Sequence, residues 1–224
     1  MITRRLSPTA LNLYRECGRC FWLDKVKGIR RPRGIFPSLP SGMDRVIKEY
    51  FDDHRRMGTL PPEISTGGLS DARLFSDQKL LNSWRDWRSG LEYKDPSGVV
   101  LFGAIDDLLI QSAVHLPLDY KTKGSPTTQE DSERYYQTQL DCYALMLKAN
   151  RMVLGSVGVL LYFSPKKVST SQSVAFNAQV IQVKIDPNRA IKLLREADQV
   201  LRAEIPEETS TCEYCSWYTQ RSGS

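Results

Sequence analysis

The amino-acid sequence predicts a single α/β domain in which a mixed β-sheet is flanked by helices. The chain has 224 residues, a length that fits one large domain. Hydrophobic residues make up 41% and charged residues 25% of it, so wholesale disorder and a fibrous fold are both excluded. The chain contains segments with apolar residues at helical spacing and segments in which apolar and polar residues alternate as in strands. Their order is helices, strands, a helix, strands and a helix.

The domain divides into a helical N-terminal part (1–95), a core (96–186) and a C-terminal helix with a cysteine-containing tail (187–224). The first part is predicted to hold a helix from Ser7 and Pro8 to about residue 25, a basic loop over 28–40, a helix from about 41 and a helix over 76–89. The core is predicted to hold three adjacent strands (99–102, 104–110 and 114–120), a helix (130–149) and two strands (157–163 and 181–185). Asp186 and Pro187 begin the last helix, and the tail from Pro206 is predicted to be irregular.

Two neighbouring strands of the predicted core carry acidic residues close to their ends. Asp106 lies in one, and Asp119 in the next is followed by Tyr120 and Lys121. Residues i and i+2 of a strand point to the same face, so Asp119 and Lys121 are expected to face one site with the Tyr120 carbonyl between them. Two carboxylates and a carbonyl suit Mg²⁺ or Mn²⁺, which can activate water against a phosphodiester. Asp107 points to the opposite face and ranks below Asp106 as a ligand.

An isolated Asp-x-Lys is more often only a solvated strand end, and the acid on the adjacent strand is what strengthens the metal-site hypothesis. Gln139 and Tyr143 are four residues apart in the predicted helix 130–149, so they share one face. An amide and a phenol there can bind phosphates or stack on a base. Taken alone, Tyr143 is more typical of a residue that packs a helix on a sheet.

The five cysteines form two C-x-x-C pairs, Cys17/Cys20 and Cys212/Cys215, with Cys142 left over. An odd number of thiols in a reducing compartment argues against a disulfide framework. Four thiolates suit Zn²⁺ or an iron–sulfur cluster, and such a site would join the first helix to the tail. Four unconnected buried thiols are the alternative, and Cys142 is interpreted as a packed thiol.

The overall charge is mildly positive, at +5. This value permits a nucleic-acid partner without establishing one. No apolar run approaches the ~18 residues that would cross a membrane, and no apolar segment typical of a secretion signal follows the first arginines. We therefore expect a cytoplasmic protein with no membrane partner.

Four segments of the chain together resemble the PD-(D/E)XK nuclease superfamily, and within it the branch of the RecB and AddB nuclease domains and the CRISPR-associated Cas4 proteins. They are residues 6–21, 103–106, 119–121 and 139–143. The resemblance implies a restriction-endonuclease-like core and metal-dependent DNA cleavage, with Asp106 and Asp119 as metal ligands and Lys121 as the catalytic lysine. It further implies that Gln139 and Tyr143 approach DNA or metal-bound water, and that the cysteines hold a [4Fe-4S] cluster.

The chain departs from this branch in two places. The branch has a histidine ligand in its second helix, whereas the matching position lies around Val46, and Asp44 or Glu49 could take its place. The branch also has one early and three late cysteines, whereas this chain has two of each, so structural Zn²⁺ is the alternative to the cluster.

The residues alone indicate only phosphodiester chemistry. The resemblance implies a divalent-metal-dependent DNA nuclease, an exonuclease of the Cas4 or RecB type that acts on single strands or duplex ends. No P-loop ATPase motif is present, so any unwinding would come from a helicase or a CRISPR or recombination partner. One alternative is a catalytically weak or inactive nuclease-fold protein that binds DNA as an accessory, which the absent histidine motivates. The other is a structural zinc protein with incidental acidic strand ends.

Overall fold

The computed structural model describes residues 4–32, 34, 38–88, 90–169, 171 and 173–222. The helices in this part of the chain are α1 (Pro8–Glu16), α2 (Gly18–Trp22), α3 (Ser38–Met57), α4 (Pro62–Ile64), α5 (Gln78–Arg85), α6 (Gln129–Ala149), α7 (Pro187–Arg202) and α8 (Glu213–Ser222). The strands are β1 (Arg5–Leu6), β2 (Arg73–Leu74), β3 (Leu91–Lys94), β4 (Val100–Gly103), β5 (Asp107–Gln111), β6 (Val114–Thr122), β7 (Val157–Val168) and β8 (Val174–Lys184). Two π-helical turns, Leu23–Lys27 and Ser65–Leu69, follow α2 and α4. None of the described helices is both long enough and apolar enough to cross a bilayer.

The strands form mixed sheets flanked by helices, which confirms the predicted fold class, but there are two such sheets in the described part of the chain rather than the single sheet predicted. A three-stranded sheet has the order β1-β4-β3, and a five-stranded sheet has the order β2-β5-β6-β7-β8. The prediction that 99–102, 104–110 and 114–120 form three adjacent strands is wrong, because β4 pairs with β1 and β3 and not with β5. Residues 104–106 belong to no strand, so the chain passes from one sheet to the other there.

Helices cover both faces of the five-stranded sheet. Successive strand residues point to opposite faces, so Leu108 and Leu160 pack in the cluster that contains α6 residues, whereas Leu109 and Leu161 pack in the cluster that contains α3 residues. Each of these leucines is fully buried, and burial of this kind contributes about 1.5–3 kcal/mol per side chain. The central strand β6 is therefore held between two helices, and its side chains alternate between them.

The start of the first helix is as predicted, but its end is not. The Ser7 side chain caps α1 by accepting the backbone N–H of Ala10, and Pro8 is the first helical residue. The helix expected to reach residue 25 is interrupted at Cys17, where the backbone is extended and Sγ accepts the N–H of Cys20. A cysteine that caps the next helix in this way stops the first one.

Several further boundaries differ from the sequence prediction. Among them, β8 begins at Val174 rather than at 181, β7 extends to Val168 rather than to 163, and α5 spans Gln78–Arg85 rather than 76–89. α3 begins at Ser38, inside the predicted loop 28–40, of which residues 33 and 35–37 lie outside the described part of the chain. The tail predicted to be irregular from Pro206 contains α8, which carries Cys215. α8 has only ten residues, which is too short a stretch for its periodicity to distinguish a helix from an irregular tail.

Candidate metal and nucleic-acid site

The central acid of the candidate site is Asp119, in β6. Its side chain is 1% exposed, and Oδ2 forms an ion pair with Nζ of Lys121, two residues later on the same face. Burial raises the pKa of Asp119, the Lys121 ammonium opposes this shift and the Asp106 charge adds to it, which leaves the pKa at about 6. Burial acts to lower the pKa of Lys121, but the Asp119 carboxylate raises it above its ordinary value, so the ammonium is protonated at neutral pH.

Helix α6 brings two polar side chains to the other oxygen of Asp119. Gln139 Nε2 donates a hydrogen bond of 2.8 Å to Asp119 Oδ1, and the Tyr143 hydroxyl donates to the same oxygen at 3.3 Å. Gln139 Oε1 accepts a bond of 3.2 Å from Lys121 Nζ. The spacing i, i+4 therefore does place both side chains at the acid, and the amide bridges Asp119 and Lys121.

The second acid, Asp106, lies at a bend directly before β5 rather than within the strand. Its Oδ2 accepts the backbone N–H of Tyr120 at 3.1 Å. Hydrogen-bonded strand residues exchange both N–H and C=O on one side, so the Tyr120 carbonyl is expected to point to this same edge of β6. The bend frees Asp106 from strand pairing and turns it toward β6.

The adjacent acid, Asp107, is fully buried on the α3 face and points away from this site. It pairs with Arg55 through Oδ1 and with Arg85 through Oδ2, and it accepts the Tyr120 hydroxyl at 2.6 Å. Arg85 Nε also donates to the backbone carbonyl of Asp106 at 2.7 Å. The lower rank given to Asp107 as a ligand agrees with this geometry, and its ion pairs hold the bend that carries Asp106.

The donor atoms at this site fit a hard divalent cation. Two carboxylates and a backbone carbonyl are the oxygen ligands that Mg²⁺ and Mn²⁺ take. Oδ2 of Asp119 is buried and faces the Lys121 ammonium, with which it forms an ion pair. Asp106, Asp119 and the Tyr120 carbonyl are thus the groups that would hold such an ion.

Lys48 of α3 is a member of the site that the sequence analysis missed. Its Nζ lies 2.8 Å from Asp106 Oδ1 and 2.8 Å from Asp44 Oδ2. Val46, at the position that matches the absent histidine, is 51% exposed. Glu49, one of the two acids that could replace that histidine as a ligand, pairs with Arg45 at the surface. Asp44 reaches the site only through Lys48. The i, i+4 pair with Asp44 does not mark Lys48 as a site residue, because its partner in the site, Asp106, lies far along the chain.

The two C-x-x-C pairs meet in one cluster, as predicted. The four Sγ atoms of Cys17, Cys20, Cys212 and Cys215 lie within 4.8 Å of one another, and all four residues are buried. Individual Sγ–Sγ distances include 3.7 Å for Cys17–Cys215, 3.7 Å for Cys20–Cys212 and 3.9 Å for Cys20–Cys215. A tetrahedral ion with ligand bonds of about 2.3 Å sets its sulfurs about 3.8 Å apart.

The surroundings of the cysteine cluster lower the pKa of Cys17 but raise the pKa values of Cys20 and Cys215, mainly through burial. Burial acts to raise the pKa of Cys17. Hydrogen bonds outweigh this effect and lower the pKa to about 6, and the largest of these is from the Cys20 backbone, followed by one from the Thr209 side chain. Nη2 of Arg31 lies 3.5 Å from Cys212 Sγ and brings a positive charge to the cluster. Cys142 is apart from it, and burial raises its pKa well above the ordinary range, as expected of a packed thiol.

A comparison with known families agrees with this geometry. A family model for the PD-(D/E)XK nuclease superfamily matches residues 5–220, which is nearly the whole chain. The matched range includes Asp106, Asp119 and Lys121 as well as the four clustered cysteines. No match was found among the curated proteins.

Proposed function

Because the chain belongs to the PD-(D/E)XK nuclease superfamily, we propose that it is a divalent-metal-dependent DNA nuclease whose active site is built on Asp106, Asp119 and Lys121. The observation that carries this proposal is the hydrogen-bonded group in which Asp119 contacts Lys121, Gln139 and Tyr143. The superfamily hydrolyses phosphodiesters, and the motifs at 6–21 and 139–143 support an exonuclease of the Cas4 or RecB type.

The site residues have separate roles in this proposal. Asp106, Asp119 and the Tyr120 carbonyl hold Mg²⁺ or Mn²⁺, which when bound polarises the phosphate and lowers the pKa of a water molecule. Lys121 orients the attacking water and stabilises the negative charge that develops on the phosphate. Gln139 fixes the Lys121 ammonium through its 3.2 Å bond, so the lysine is positioned before substrate arrives.

Gln139 and Tyr143 also provide the contact with DNA. Both line a surface cavity of about 230 Å³ beside Asp119, together with Trp87, Phe102 and Asn12. Aromatic rings on which bases stack and polar groups that bind phosphates are the usual elements of a single-strand binding surface. These features support single strands or frayed duplex ends as the substrate, with unwinding supplied by a helicase or by a CRISPR or recombination partner.

The cysteine cluster is proposed to hold a structural metal that joins α1 and α2 to α8. Three Sγ pairs lie 3.7–3.9 Å apart and all four Sγ atoms lie within 4.8 Å of one another, which supports a single tetrahedral Zn²⁺. A [4Fe-4S] cluster would hold the thiolates farther apart because each binds a different iron, and it is the alternative suggested by the RecB, AddB and Cas4 branch. The arrangement of four cysteines as a metal site rather than as disulfides supports a reducing compartment such as the cytoplasm.

The experiment is a cleavage assay on labelled single-stranded and duplex DNA with Mn²⁺ or Mg²⁺, using protein purified without air. Wild type is compared with D119N and K121M, and with K123M as a control. Lys123 is only two residues further on but bonds to Thr127 rather than to the acids. We expect D119N and K121M to lose about 10²–10⁴-fold in rate, as removal of a catalytic group does, while K123M retains activity.

Product lengths in this assay separate exonuclease from endonuclease action. DNA binding without cleavage in wild type, with the cysteine-bound metal intact, would instead support the accessory, DNA-binding function. The specific observation behind that second function is that Lys48, whose ammonium cannot bind a metal, lies 2.8 Å from Oδ1 of Asp106.

A further inference from the structure

Lys48 occupies a position between two acids, one of which is a proposed metal ligand. Its Nζ is 2.8 Å from Asp106 Oδ1 and 2.8 Å from Asp44 Oδ2, and its side chain is 24% exposed. α3 packs on the sheet through residues such as Ile47 and Phe51, so the backbone at Lys48 is fixed beside β6. The ammonium group, on four flexible methylenes, is the mobile part.

The two catalytic acids are neutralised by two lysines in this structure. Asp106 pairs with Lys48, and Asp119 pairs with Lys121. The other oxygen of Asp106 is already taken by the Tyr120 N–H at 3.1 Å. A cation that coordinates Asp106 through Oδ1 therefore competes for the oxygen that Lys48 now contacts.

We propose that Lys48 is the counter-cation that the divalent metal displaces from Asp106, and that the displaced ammonium then contacts the phosphate being cleaved. This inference rests on the proposed function and adds a second lysine to the active site. An ammonium group cannot coordinate a metal ion, since its nitrogen carries three protons and no free electron pair. Repelled by the metal, it remains within reach of a substrate that carries negative charge at the same place.

The proposal predicts that the variant K48M binds Mn²⁺ more tightly than wild type but cleaves DNA more slowly. In K48M the competitor for Asp106 Oδ1 is gone, so Mn²⁺ binds about tenfold more tightly in the absence of DNA. Cleavage at saturating Mn²⁺ falls by about tenfold or more, because the phosphate loses an ammonium contact. Damage to the fold would weaken both, so the divergence identifies the role.

The test is a titration of protein with Mn²⁺, in which free Mn²⁺ is measured by electron paramagnetic resonance without DNA, followed by single-turnover cleavage. R45M is the matched control, because it removes one positive charge from the same helix at a residue that is 74% exposed and pairs only with Glu49 among the described ion pairs. K48R, which keeps the charge, should bind Mn²⁺ like wild type and retain more cleavage than K48M. Melting temperatures of all variants verify that they are folded.

The outcomes separate this inference from the function on which it rests. Mn²⁺ binding that D119N abolishes, but that K48M leaves unchanged or weakens, would overturn the role of Lys48 and leave the nuclease site standing. Tighter Mn²⁺ binding in both K48M and R45M would also overturn it, because the effect would then be one of net charge. Absence of saturable Mn²⁺ binding in wild type and K48M alike would overturn the proposed metal site itself.

Discussion

The adjacent acids Asp106 and Asp107 should respond in opposite ways to the same chemical change. Replacing Asp107 by asparagine leaves the volume unchanged but removes a fully buried negative charge that faces Arg55 and Arg85. Both arginines keep Asp52 as a partner, at 3.0 Å from Arg55 and 2.8 Å from Arg85. The cost is therefore at the lower end of the range for breaking a buried ion pair, about 3 kcal/mol.

That free energy corresponds to a lower melting temperature by about 6–12 °C for a chain of this size. The Asp106 carboxyl is 20% exposed, and Lys48 keeps Asp44 as a partner when Asp106 is replaced. D106N should therefore change stability by less than about 1 kcal/mol, which is within about 4 °C. Thermal unfolding followed by circular dichroism measures both variants, and metal-dependent cleavage is measured below the transition. We expect D106N to be stable and inactive.

Two results would refute this reasoning. A melting temperature for D107N equal to that of wild type would mean that the buried ion pairs with Arg55 and Arg85 contribute nothing. A loss of stability in D106N as large as that in D107N would mean that Asp106 holds the fold rather than a metal.

Removal of the cysteine-bound metal by C20S or by a strong chelator should lower the melting temperature and make α8 susceptible to proteolysis, because metal binding to four thiolates contributes folding free energy directly. Metal analysis and the visible spectrum distinguish zinc from an iron–sulfur cluster. If α8 remained equally protected from proteolysis after metal loss, the prediction would be contradicted. At Asp198, burial acts to raise the pKa, but ion pairs with Arg4 and Arg202 lower it below 3.8. The ionised Asp198 carboxylate contributes about 1–2 kcal/mol to the free energy of unfolding. This contribution is present above the ordinary carboxyl pKa and is lost as the pH falls through the lowered pKa of the folded state. The free energies of unfolding of D198N and wild type in urea should therefore differ at pH 7 and converge in strong acid.

The elements that the sequence predicted are those with strong local periodicity. β6, α6, β7 and α7 are long, and their apolar residues repeat every two or 3.6 positions, so local composition specifies them. The two-residue strands β1 and β2 are too short to show any period, and only their partners β4 and β5 define them. Tertiary pairing, which a local pattern does not contain, determines such elements.

The candidate site divides in the same way. The i, i+2 spacing in β6 predicted that Asp119 and Lys121 share a face, and the i, i+4 spacing in α6 predicted the same for Gln139 and Tyr143. The structure places all four side chains in contact at one site. Lys48 was missed because the resemblance pointed to a metal ligand at Asp44, Val46 or Glu49, whereas the residue that faces Asp106 is a cation. The local sequence around a lysine does not reveal which distant carboxylate the lysine contacts in the fold.

The cysteine cluster has a consequence for the order in which the molecule matures. Cys20 and Cys212 are 192 residues apart, so a ribosome that adds about 5–20 residues per second delivers the second thiol about 10–40 s after the first. Throughout that interval the early pair has no late pair to complete its coordination and is exposed to oxidants and to competing thiophilic ions. The complete four-thiolate centre can form only after Cys215 has left the ribosome. A metal bound by all four thiolates would therefore stabilise only those chains whose synthesis has passed Cys215.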